Sequence, residues 1–142
     1  MFSRILNFKG RSKYGNKKCV YEGMTFDSKK EMARYIFLKE AEMRGEISDL
    51  RRQVRFELLP SVHEEYEVEL KTKTIKKTRV VQQAVYYRSD FCYIKDGVEV
   101  VEDVKASPKK SVLDKTYILK KKMMKSLKGI DIKEVYNGND EI

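Results

Sequence analysis

The sequence predicts an α+β (α/β) fold in which helices cover the faces of a sheet. Three observations predict it. Residues 28–45 repeat apolar side chains at helical spacing, several segments between residues 52 and 104 are rich in β-branched and aromatic residues, and a second helical stretch precedes a short closing strand.

Taken in order, residues 1–18 carry six Lys/Arg and no acid, with Gly10 and Gly15 interspersed, and read as a flexible basic arm ahead of a single domain over 19–142. A short strand-like piece, KKCVYEGMTF, leads to DSKKEMARYIFLKEAEMRG. There Met32, Tyr35, Ile36, Lys39 and Met43 form a stripe widened by Ala33 and Phe37, and Gly45 closes an amphipathic helix of about four to five turns. Ser28 to Glu31, SKKE, is an S-x-x-E capping box at its start. ISDLRRQVRFELLP supplies a strand from about Arg52 to Leu59, stopped by Pro60. EEYEVEL and TRVVQQAVYY read as two strands of an extended β-hairpin around a basic tip, KTKTIKK. A tight hairpin follows, and Pro108 breaks the chain after it. SVLDKTYILKKKMMKSLKG then forms a helix with Leu113, Tyr117, Met124 and Leu127 on its buried stripe, ended by Gly129, and IDIKEV is the closing strand.

Composition narrows the chemistry. The 142 residues suit one domain with a real core. A net charge of +9, from 31 Lys+Arg against 22 Asp+Glu, favours a polyanionic partner. Cys19 and Cys92 form no CxxC or Cys/His cluster and His63 is the only histidine, which argues against zinc and against a histidine-based triad. Both cysteines read as small buried hydrophobes. Neither a signal peptide nor an apolar run of about 18 residues is present, so the expectation is a soluble intracellular protein with no membrane partner.

The tight hairpin carries the chemistry. Asp96-Gly97 lies between DFCYI and VEVVEDV, the sequence signal of a two-residue type I′ turn. With those two residues as the loop, Lys95 opposes Val98 and, stepping outward, Asp90 faces Asp103. Alternation puts Glu99, Val101, Asp103 and Lys105 on one face and Val98, Val100, Glu102 and Val104 on the other, more apolar one. Opposed residues have Cβ atoms roughly 4.5 to 5.5 Å apart, and like charges there repel. A hard divalent cation would compensate, because Mg²⁺ is commonly held by one or two carboxylates, water and phosphate oxygens. A three-residue loop would instead set Glu102 opposite Asp90; Asp103 is preferred because it shares a face with Lys105. Charged residues at strand ends also commonly face solvent, so the bland reading stands beside the metal site.

FDSKKEMARYIFLKEAEMRGEISDLRRQVRFELLP, followed by VYYRSDF, VVEDVKAS and a Lys-rich helix ending in KGIDIKEV, resembles the small phage and prophage proteins assigned to the PD-(D/E)XK nuclease superfamily. The resemblance covers roughly residues 13 to 136. It implies a restriction-endonuclease-like core, a central mixed sheet flanked by helices, with Mg²⁺ or Mn²⁺ held at the motif strands. Carried over, Asp90 is the first acid, Asp103 the second and Lys105 the motif lysine, while Glu31 matches the additional acid of the resolvase-like and transposase-like branches. The Val104 carbonyl is a further candidate ligand. Gln53 matches the polar residue of the family's Q…FEL strand, as a support behind the ligands or as an ordinary edge residue. Two departures stand out: Ser89 replaces Pro before Asp90, and the second acid is Asp instead of Glu. For Glu31 the capping box is an equal alternative to metal binding.

From Pro108 to Lys128 there are eight lysines and one acid, Asp114. A Lys-rich helix is ordinarily a solvated face, yet this one follows Lys105 directly. Lys109, Lys110, Lys121 and Lys125, with Tyr117, are therefore the candidate DNA contacts, Tyr117 and Lys121 matching the family's Y…K helix; the basic arm and the tip from Lys71 to Arg79 extend the track. The resemblance thus implies metal-assisted phosphodiester hydrolysis of DNA by a phage-encoded protein in the bacterial cytoplasm, acting in recombination, replication or packaging, and leaves a homodimer open. The alternative is a DNA-binding protein that kept the nuclease fold without cleaving.

Overall fold

The structure, a computed structural model, describes residues 17–109 and 114–142. Most of the expected basic arm, Lys110 and Leu113 lie outside them.

The chain runs β1 (Cys19–Tyr21), β2 (Met24–Phe26), α1 (Lys29–Met43), β3 (Ser48–Arg52), β4 (Arg55–Leu59), β5 (Val62–Glu69), β6 (Thr74–Gln82), β7 (Val85–Arg88), β8 (Phe91–Lys95), β9 (Val98–Val104), α2 (Lys115–Lys128) and β10 (Lys133–Val135). The fold is α+β, built on a mixed four-stranded sheet in the order β10-β9-β8-β3, with β10 parallel to β9 and the other pairs antiparallel. Alternation along β8 and β9 feeds two cores. Phe91 and Tyr93 pack with Phe26, Tyr35, Leu38 and Ala41 on the α1 side, whereas Cys92 and Val101 pack with Tyr87, Tyr117, Met124 and Ile132 on the α2 side. Both faces of the hairpin are therefore apolar, and the side bearing Asp103 is as deeply covered as the other. Cys92 is buried as expected, whereas Cys19 is only half-buried.

Four expectations change. The strand-like piece before α1 is a hairpin, because Glu22 and Gly23 both take positive φ, at 48° and 77°. The strand ending at Pro60 is two strands, broken at Gln53, whose φ of 51° is left-handed. The stripe on α1 is rotated: Glu31, Arg34, Tyr35, Leu38 and Ala41 are buried, while Met43 is 82% exposed. Arg34 can face inward because the carboxylate of Glu102, on β9, receives it at 2.6 and 2.8 Å. On α2, Tyr117 and Met124 are buried but Leu127 points outward.

The extended hairpin exists with a smaller tip, and the expected strand TRVVQQAVYY is divided, because Val85–Arg88 forms a separate strand, β7, that pairs with β4. Leu70 N–H bonds to the Lys73 carbonyl, and Thr74 to Lys77, expected as loop, already belong to β6. β5 and β6 form a separate two-stranded sheet, and nearly all of their residues are exposed.

Candidate functional site

Asp96 and Gly97 have φ of 51° and 75°, the paired positive values of a type I′ turn, and the ladder runs from Lys95↔Val98 to Phe91↔Glu102. This is the two-residue register. One step beyond the last pair, Asp90 N–H bonds to the Glu102 carbonyl at 3.1 Å, and the Asp90 carboxylate accepts the Val104 N–H at 2.7 Å. Asp90 thus folds back onto the β9 backbone beside Asp103.

The chain bends there on both sides of the sheet. β7 ends at Arg88 and β8 starts at Phe91, opposite the gap between β3 and β4. Two backbone bonds cross the bend: Gln53 N–H to the Asp90 carbonyl at 3.0 Å, and Ser89 N–H to the Val54 carbonyl at 2.9 Å. Ser89 Oγ adds a bond to the same carbonyl at 3.2 Å. Gln53 therefore supports Asp90 through its main chain, and its side chain is exposed. Ser89 uses its N–H in this bridge, a donor that proline lacks.

Asp103 is buried and engaged at both oxygens. Lys105 Nζ lies 2.8 Å from one, and the Tyr87 hydroxyl donates to the other at 2.7 Å. The Lys105 ammonium also sits 3.3 Å from the centre of the Tyr117 ring, a cation–π contact that fixes it without neutralising it. Burial pushes the Asp90 carboxyl up to about 7, and the neighbouring Asp103 and Glu31 charges add to this against the Val104 amide and Lys105. Burial, with Asp103 beside them, likewise raises the Tyr87 and Tyr117 phenols. The Tyr117 hydroxyl is buried without a hydrogen-bond partner among the described residues. Asp90, Asp103 and Lys105 are thus close neighbours under the start of α2.

Glu31 caps α1. Its N–H bonds to Ser28 Oγ at 3.1 Å, and its Oε2 accepts the Asp27 N–H at 3.2 Å, one residue earlier than the usual box. Its other oxygen is buried without a hydrogen-bond partner among the described residues, with Arg52 at 4.0 Å. Burial raises its carboxyl, against the Asp27 N–H bond that lowers it. Among the described residues no three His, Cys, Asp or Glu side chains gather into one group that could hold a metal ion. A divalent cation between Asp90 and Asp103 would relieve the repulsion between the two carboxylates, with water and phosphate oxygens completing its shell. Glu31, whose charge acts on Asp90, is a further carboxylate at this end of the sheet.

Two of the lysines of α2 are paired with acids. Lys121 bonds to Glu134 on β10, and Lys125 lies 2.7 Å from Asp131. Lys109 is exposed. Sequence reasoning missed Tyr87, Arg34 and Glu102. The hairpin register contained the signal for the last two, since it set Glu102 among Val100 and Val104, where a carboxylate needs a cation.

No curated protein and no solved structure matches this chain. The family model described as "Protein of unknown function (DUF1064)" matches residues 11–136, nearly the whole sequence, and the chain therefore belongs to the DUF1064 family.

Proposed function

We propose that this chain is a Mg²⁺- or Mn²⁺-dependent DNA endonuclease on a restriction-endonuclease-like core, phage- or prophage-encoded and working in the bacterial cytoplasm on DNA in recombination, replication or packaging. The observation that carries the reading is the meeting of Asp90, Asp103 and Lys105 beside one bend of the sheet, with the Asp90 carboxyl pushed up to about 7 by burial and by the Asp103 charge. Asp90 and Asp103 hold the cation. Bound there, Mg²⁺ or Mn²⁺ supplies Lewis-acid polarisation of a phosphoryl oxygen and a more acidic water. Tyr87 fixes the orientation of Asp103. Lys105, its side chain 18% exposed and braced on Tyr117, offers its charge to the phosphate as negative charge develops. No nucleophilic side chain is required.

A non-catalytic DNA-binding role is the second reading, favoured by Asp103 having both oxygens engaged within the protein. The two separate on supercoiled, single-stranded and branched DNA with Mg²⁺, Mn²⁺ or EDTA. The expected result is cation-dependent cleavage that Lys105→Ala and Asp103→Asn each lower by about 10²-fold or more, with DNA binding retained. Binding by wild type without cleavage in either cation assigns the chain to the second reading.

A further inference from the structure

Lys121 and Lys125 are paired with acids, whereas further lysines gather on the other side of Lys105. A cavity of about 340 Å³ opens between the start of α1 and the end of β9, lined by Lys17, Ser28, Lys29, Lys30, Val104, Lys105 and Ala106. Four of these seven residues are lysines and none is an acid. Lys105 is paired with Asp103 at 2.8 Å, but among the described residues Lys17, Lys29 and Lys30 sit against no carboxylate, unlike Lys39, Arg44, Arg51, Arg79, Lys121 and Lys125. Lys30 Nζ donates to the Ala106 carbonyl at 3.1 Å, which holds its ammonium across the cavity next to Lys105. Gathered like charges raise the free energy of the empty fold, and an anion removes that cost. The volume is ample for a hydrated phosphate, since one water occupies about 30 Å³ of liquid.

We propose that this cavity binds a backbone phosphate of the nucleic acid, next to the phosphate at Lys105, through Lys17, Lys29 and Lys30. The inference rests on the nucleic-acid reading above and gives the strand a direction: it leaves Lys105 across the start of α1 and not along α2. The wall holds ammonium groups and no base-reading constellation, so the contact positions the strand without reading sequence.

The test is anisotropy with fluorescein-labelled DNA in EDTA, so that no cleavage intervenes, over a salt series. Lys29→Ala with Lys30→Ala in one chain should weaken binding about tenfold and reduce the slope of log K against log salt by about 1. Lys29→Ala with Lys30→Gln, which keeps a donor for the Ala106 carbonyl, should behave alike, and this excludes loss of fold as the cause. Lys121→Ala with Lys125→Ala should move the slope by less than half as much. Unchanged binding in both α1 variants, or a larger loss in the α2 variant, overturns the inference and leaves the nuclease reading standing. Loss in the α1 variants with a wild type that never cleaves does the reverse, retaining the phosphate site and removing the nuclease.

Discussion

Arg34→Met destabilises the protein by about 3 to 5 kcal/mol, the cost of leaving a buried charge without its partner. Arg34 and Glu102 have side chains with no exposure, joined by two bonds, and the Tyr93 hydroxyl adds a third to Glu102 at 2.5 Å. The same guanidinium donates to the carbonyls of Gly138, Asp140 and Glu141, so its loss also frees the chain after β10. Lys133, 3.9 Å from Glu102, compensates in small part. Against a total stability of roughly 5 to 15 kcal/mol this is a large fraction. Arg34→Met combined with Glu102→Met should recover more than half of the loss, because the orphaned carboxylate goes with its partner. Urea unfolding of wild type, both singles and the double checks this; a single-variant loss below about 1 kcal/mol, the range of exposed pairs such as Glu64–Arg79, removes the claim.

Asp90→Asn should act in the opposite direction on stability while lowering the proposed cleavage. Its carboxyl, held at about 7 in the fold, stands well above the ordinary aspartate value of about 3.9. Between those values the folded state keeps a proton that the unfolded state has released. Stability from this group is therefore full below about pH 4 and is lost as pH rises through about 7. Without divalent cation, Asp90→Asn should be more stable than wild type by on the order of 1 to 3 kcal/mol at pH 8, at about 1.4 kcal/mol per unit of displacement shared with Asp103, and nearly equal to it at pH 4. The amide keeps an acceptor for the Val104 N–H. Asp103→Asn gives no such gain, because it unpairs Lys105. Urea midpoints in EDTA at both pH values decide the matter: an equal difference at pH 4 and pH 8 contradicts the buried-repulsion account. Cleavage with Mg²⁺ should fall by roughly 10²- to 10³-fold.

The parts of this fold that were legible in the sequence are those whose cause is local. Asp96-Gly97 sets its own turn and thereby the register that brings Asp90 beside Asp103. The break at Gln53 has no local cause. Its left-handed backbone is stabilised by an N–H bond to the Asp90 carbonyl across the sheet, and Gln carries no turn signal. The buried face of α1 was misread because Glu31 and Arg34 count as polar, while the carboxylate that admits Arg34 lies 68 residues away in sequence. The α2 lysines posed the same problem in reverse. Their number suggested a phosphate track, but Glu134 and Asp131 reach them only once the closing strand has docked.

The ribbon of β5 and β6 shares no ladder with any other strand among the described residues. Two strands alone are marginally stable in water, and here they are tied to the core at one end while the Leu70–Lys73 turn caps the other. Such a segment opens on its own, without unfolding the four-stranded sheet. Its amides should exchange with deuterium well before those of β8 and β9. Trypsin should nick the native protein first at Lys71, Lys73, Lys76 or Lys77, leaving two fragments that stay associated through the intact core. The ribbon should thus open and close while the acid pair at the bend keeps its geometry.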